Sequence, residues 1–270
     1  MELALHHDTS EALSRWQFSL PQSSLLYGPR GVGLLTIAKE LASRSGQCTL
    51  IYPEKATKSS QTLQISVERI RELYKQTRTT TGDVKRIIII DDAEFMSLAA
   101  QNAFLKLLEE PNASTSFLLT THQPERLLTT VRSRLQSLHV KPVSAETTRA
   151  FLKTLPKAYD IDEQQLLFIA QGLPAELVRL TSHEASLRSS VARVTLAKNI
   201  LQAVPFERLA LIAREKLTRP GALLLIETLL DLMRLKATKH TPNEINKLLD
   251  AYDRINGGGN IQIQLILALI

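Results

Sequence analysis

The run Arg86-Ile87-Ile88-Ile89-Ile90-Asp91-Asp92-Ala93-Glu94 decides the fold class. Four consecutive isoleucines put apolar groups on both faces of the segment, as in a central strand of a parallel sheet covered by helices. The carboxylates that follow emerge at the C-terminal end of that strand, where open α/β sheets bind ligands. Outward from this run, short apolar stretches recur at Ser24 to Tyr27, Thr49 to Tyr52, Phe117 to Thr121 and Leu135 to Val140, separated by segments of helical spacing. With Arg86 to Ile90 they predict a parallel sheet of five strands. The polar stretch Glu54 to Gln61 has no period and is expected to be a surface loop. Val67 to Gln76 sets Val67, Ile70 and Leu73 or Tyr74 on one helical face.

After Pro142 the strand signals stop. Residues 144–155, 161–171, 174–181, 186–203, 206–217, 220–236 and 241–256 all have helical spacing, with breaks at Gly172-Leu173-Pro174 and in the polar stretch Thr181 to Ser190. A division into 1–142, 143–182 and 183–270 is therefore expected: an α/β domain, a small helical domain and an all-helical one. The final IQIQLILALI, set off by Gly257, Gly258 and Gly259, reads as either a last helix or a strand.

The 270 residues suit two or three domains at roughly 150 residues each. With 33 basic and 27 acidic residues the net charge is +6, and 44% of residues are hydrophobic, which excludes a disordered chain and favours anionic partners such as nucleic acid. Cys48 is the single cysteine, so neither an internal disulfide nor a cysteine-zinc module can form, and no metal site is expected. The N-terminal MELALHHDTSEALSRW lacks the basic-apolar-small order of a secretion signal. Nowhere do roughly 18 apolar residues run without a charge, so a cytoplasmic protein with no membrane partner is expected.

Gly28-Pro29-Arg30-Gly31-Val32-Gly33 follows a predicted strand and precedes an amphipathic helix from Leu34 to Ser43, the order of a phosphate-cradling P-loop. Such a loop needs Lys and then Ser or Thr directly after its last glycine, to reach the phosphates and to hold magnesium. Those positions are Leu34 and Leu35. Aliphatic side chains cannot supply the electrostatic stabilisation on which phosphoryl transfer depends, so ATP binding is expected to be lost or weak. Gly28, Gly31 and Gly33 then form either a degenerate nucleotide loop or a tight turn without a ligand. Asp91 and Asp92 are likewise either the remnant of a Walker B element or a solvated acidic strand end. Ser97, just before the apolar run Leu98 to Leu108, is a good N-cap, and the amides behind it form an anion site; Pro111 would stop the helix.

Taken in order, LLYGPRGVG, IIIIDDAEFM, AAQNAFLKLLEEPNASTSFLLTT and RLLTTVRSRLQ resemble the AAA+ clamp-loader subunits of bacterial DNA polymerase III, best from about residue 24 to 140. The resemblance implies a P-loop-fold domain, a helical lid and a helical collar that joins a ring. VRSRLQ is similar to the family's Ser-Arg-Cys motif with Leu135 in place of Cys, which implies that Arg134 is an arginine finger acting on ATP held by a neighbouring subunit. Ser97 is implied to meet a phosphate of DNA inside the ring. Gln171-Gly172-Leu173-Pro174-Ala175 resembles the lid motif, with Ala175 where hydrolysing relatives carry a sensor arginine. The implied function is a non-hydrolysing subunit that helps load the sliding clamp at primer-template DNA, with gamma/tau and delta subunits as partners. The rival reading is a stand-alone AAA+ ATPase acting on nucleic acid, gamma/tau-like or helicase-loader-like.

Overall fold

The computed structural model describes residues 3–43, 47–55, 63–78, 85–110, 112–156, 161–235 and 242–270. Two compact units divide the chain at Ser182/His183.

The first unit begins with α1 (His7–Phe18), β1 (Ser23–Tyr27), α2 (Leu34–Ser43) and β2 (Gln47–Ile51). A short antiparallel pair, β3 (Glu54–Lys55) and β4 (Leu63–Gln64), leads to α3 (Val67–Arg78) and β5 (Arg86–Ile90). Then follow α4 (Leu98–Glu109), β6 (Thr115–Thr121), α5 (Thr129–Arg132) and β7 (Gln136–His139). Three helices, α6 (Ala145–Thr154), α7 (Glu163–Ala170) and α8 (Pro174–Ser182), close the unit. The five long strands form one parallel sheet in the order β2-β5-β6-β1-β7.

The isoleucine run behaves as its pattern requires. Ile87 and Ile89 enter one apolar cluster with Leu26, Leu118, the α1 residues Leu13 and Trp16, and Ile37 and Leu41 of α2. Ile88 and Ile90 enter the other, with Leu25, Phe117, Ile70 of α3, and Phe104 and Leu107 of α4. Phe104 and Phe117 meet edge to face at 5.2 Å, a favoured aromatic geometry. Alternation along one strand therefore supplies both helical layers.

Several elements depart from expectation; β2, for one, starts at Gln47 and not at Thr49. The segment from Glu54 is not wholly a loop, because Glu54–Lys55 pairs with Leu63–Gln64; residues 56–62 lie outside those described. Helix α1 buries Thr9, Leu13 and Trp16, three positions at helical spacing within a polar stretch. β6 starts at Thr115, two residues early, because Asn112 accepts hydrogen bonds from the Ser114 N–H through its Oδ1 and from the Thr115 N–H through its carbonyl. Pro111, expected to stop α4, lies outside the described residues.

The second unit is helical among its described residues: α9 (Glu184–Gln202), α10 (Pro205–Arg214), α11 (Arg219–Leu235), α12 (Pro242–Asn256) and α13 (Ile261–Leu269). The terminal apolar segment is a helix. Asn260 caps it by accepting from the Ile263 N–H at 3.1 Å, a local preference that outweighs the period-two IQIQ pattern.

Candidate functional site

The C-terminal ends of β1, β5 and β6 converge on one cluster of polar groups, bounded by the loop Gly28–Gly33. Glycine is required at position 28, where a Cβ would lie 2.4 Å from the Val140 carbonyl oxygen. Gly31 adopts φ +86°, a conformation that L side chains rarely take. The loop turns into α2 at Leu34, which is buried and belongs to the same apolar cluster as Leu26 and Ile37. Leu35 packs partly against that cluster.

The lid helix closes over this loop. The Ala175 and Glu176 N–H groups of α8 donate to the Gly31 carbonyl at 2.9 and 3.1 Å. A backbone oxygen of the P-loop thus caps α8, satisfying two of the donors that a helix start leaves unpaired. Ala175 lies over Gly33, 3.7 Å from where a Cβ there would stand. One turn later, Arg179 is held by Glu176 through two hydrogen bonds of 2.8 and 2.6 Å. Beside them a mostly apolar cleft of ≈ 100 Å³ is lined by residues including Leu5, Thr36, Phe151 and Val178.

The carboxylates are tied to the end of β6. The Asp92 N–H donates to Thr120 Oγ1 at 3.1 Å, and Thr120 Oγ1 donates to Asp91 Oδ1 at 2.6 Å. Glu94, with 1% of its side chain exposed, accepts from Thr121 Oγ1 at 2.7 Å and from the His122 N–H at 3.3 Å. Arg30 of the P-loop approaches it at 3.6 Å. His122 Nδ1 lies 2.8 Å from the Gly28 carbonyl, which only accepts, so that nitrogen carries the proton. His122 Nε2 lies 3.7 Å from Asp92 Oδ1. Burial, with Glu94 and Asp91 nearby, holds the Asp92 carboxyl above the usual aspartate value, and Arg30 and His122 oppose that rise. Asp92 also takes φ +48°, the left-handed region.

Gly28, Gly31, Gly33, Asp91 and Asp92 are thus brought together. Glu94, Thr120, Thr121 and His122 complete the cluster, although the sequence reading assigned them no role. Their signal was present: a buried apolar strand ending in Thr-Thr-His is polar where a ligand-binding edge would be. Ser97 stands apart at the start of α4, where its Oγ accepts from the Ala100 N–H at 3.0 Å. Arg134 follows α5, with 38% of its side chain exposed, bonded to Glu109 and to the Thr130 carbonyl. Among the described residues, no group of three or more His, Cys, Asp or Glu side chains is arranged to hold a metal ion, and no helix is long and apolar enough to cross a membrane.

A parallel sheet in this order, a glycine loop into α2, acidic groups ending β5 and a helical lid define an AAA+ fold. Solved structures share it. The DNA polymerase III gamma subunit-related protein of Thermotoga maritima matches with a TM-score of 0.55 at 22% identity, over 97% of both chains. The RuvB Holliday junction branch migration motor of the same organism matches with a TM-score of 0.52 at 16% identity, over 94% of this chain and 80% of that one. Residues 46–144 match the family model described as DNA polymerase III, delta subunit. The DNA polymerase III subunit delta' of Pseudomonas aeruginosa is 31% identical over 199 residues, 63% of this chain and 58% of that protein. That of Escherichia coli is 37% identical over 94 residues, 34% and 26% of the respective chains. By these matches the chain is similar to DNA polymerase III subunits, delta' in particular. It spans less than two thirds of the length of these relatives.

Proposed function

We propose that this chain is a cytoplasmic clamp-loader subunit that hydrolyses no ATP, helps place a sliding clamp at primer-template DNA, and presents Arg134 to the nucleotide site of a neighbouring subunit. The observation that carries the first part is the pair Leu34 and Leu35 directly after the last loop glycine, the first of them buried in the apolar cluster under the sheet. The position of the phosphate-binding lysine is thus a buried leucine. The residues present do not fit a triphosphate and its magnesium, because neither Leu34, Leu35 nor Ala175 brings charge or a metal ligand. No step is therefore assigned to this site.

Arg134 supports the second part. Its side chain is half-exposed while its backbone is fixed, the Arg134 N–H donating to the Val131 carbonyl at 3.1 Å beside fully buried Val131. A guanidinium on such a support can stabilise charge developing on phosphate oxygens in a second chain. Ser97 and the N-terminal turn of α4 suit a phosphate of the DNA backbone, a contact that positions without reading sequence. In the second unit, Val204 and Phe206 of the α10 start and Ile263 and Leu267 of α13 are 55–79% exposed, apolar groups that favour contact with other subunits.

The isolated chain tests the non-hydrolysing reading. Equilibrium dialysis with labelled ATP and magnesium, followed by a turnover assay, is expected to give no more hydrolysis than an Asp91→Ala control. Turnover well above that control favours the stand-alone ATPase.

A further inference from the structure

We infer that Glu109 is the positioning residue for Arg134, holding the guanidinium in the orientation it presents to the neighbouring subunit; this rests on Arg134 acting as the finger. Glu109 Oε1 accepts from Arg134 Nη2 at 2.7 Å, and the Thr130 carbonyl accepts from Nη1 at 2.9 Å. The two anchors come from different helices, the last residue of α4 and the second of α5. Two bonds to two terminal nitrogens fix the plane of a guanidinium, and the remaining N–H groups stay available to an oxyanion.

Three observations separate this from an incidental surface pair. A carboxylate in the last turn of a helix opposes the helix dipole, so the stability of α4 does not account for Glu109. The Arg134 side chain is 38% exposed and that of Glu109 51%, so the pair lies where a second chain can reach it. Among the described residues Arg132, two positions earlier and exposed, has no such anchor, so the pairing is not a general property of this basic segment. An arginine loses several rotatable bonds on ordering, and an orientation set before the subunits meet removes most of that cost from the catalytic step.

The test uses the reconstituted complex with DNA and clamp, measuring ATP turnover against ATP concentration for Glu109→Ala, Glu109→Asp, Arg134→Ala and the Glu109→Ala/Arg134→Ala pair. Glu109→Ala is expected to lower kcat of the served site about tenfold with little change in KM, the scale of one ordered side chain. Glu109→Asp restores part of the loss, and Glu109→Ala adds nothing once Arg134 is gone. A structural role would give additive losses and no aspartate rescue, and that result overturns the inference. An unchanged or raised kcat in Glu109→Ala, with Arg134→Ala still impaired, overturns positioning and leaves the finger standing. An unaffected Arg134→Ala overturns both.

Discussion

The two arginines of the candidate site, Arg30 and Arg134, sit in opposite settings. Arg30 lies over a cluster in which Asp91, Asp92, Glu94 and His122 are each bonded to, or paired with, a neighbouring residue, and the P-loop itself caps the lid helix. Arg134 stands on a buried backbone support with one carboxylate and one carbonyl around an otherwise open side chain. In the first region the Asp91 and Glu94 carboxylates are satisfied by neighbouring hydroxyls and an amide; in the second a single carboxylate and a carbonyl hold the guanidinium. Those carboxylates of the first region are bonded internally, while the Arg30 side chain above them is 62% exposed and that of Arg134 is 38% exposed.

Substitutions that add bulk at the closed region are expected to break it most. In Gly28→Ala and Gly172→Ala a Cβ would stand 2.4 and 2.3 Å from the carbonyl oxygens of Val140 and Val143, and Gly172 also has φ +73°. Each is expected to cost ~3 kcal/mol or more, read as a lowered urea midpoint, whereas Arg134→Ala leaves the midpoint unchanged. Glu94→Ala strands the Thr121 hydroxyl and the His122 N–H, at about 1–3 kcal/mol in the same measurement. A neutral effect would show that these groups find water instead.

Leu34→Lys with Leu35→Thr sharpens the contrast. Restoring the two P-loop side chains exchanges a buried leucine for a charge, so stability is expected to fall by roughly 1–3 kcal/mol. ATP affinity is expected to stay weak, because Ala175 brings no arginine to the phosphates. Tight magnesium-dependent binding in dialysis would mean that the two restored side chains suffice without it.

The smallest effect is expected at Asp92. Its folded value lies above the ordinary 3.8, so the folded state holds the proton more tightly than the unfolded one. Stability is then greatest below the ordinary value, declines as pH rises from there through the folded value, and stays lower at neutral pH. Asp92→Asn removes the charge and suits φ +48°, so its melting temperature should rise at pH 7 by no more than about 2–4 °C. The gain should vanish near pH 3. A constant gain across that range would leave backbone conformation as the whole cause.

The sheet was legible because burial on both faces leaves a contiguous apolar run, and Arg86 to Ile90 starts and stops as that pattern requires. That the loop glycines and Asp91 would meet at the end of the sheet was legible because each directly follows a strand of the parallel sheet. What sequence spacing could not carry was the choice of distant partner: that Thr121 and His122 would bond Glu94, or that a lid amide would take the Gly31 oxygen. Helix α1 was missed because its three buried positions, Thr9, Leu13 and Trp16, are spread through a polar stretch and one is a threonine. Ser97 was readable as a cap because an N-cap is a contact three residues long.

The most direct test of the central claim, that this chain catalyses through a neighbour and not through its own nucleotide fold, is ATP turnover of the complex rebuilt with Arg134→Ala at saturating DNA and clamp. A finger is worth on the order of 10³ to 10⁵ at the site it serves, so turnover is expected to lose that site's share while assembly and melting temperature hold. Undiminished turnover by a correctly assembled complex would contradict the account.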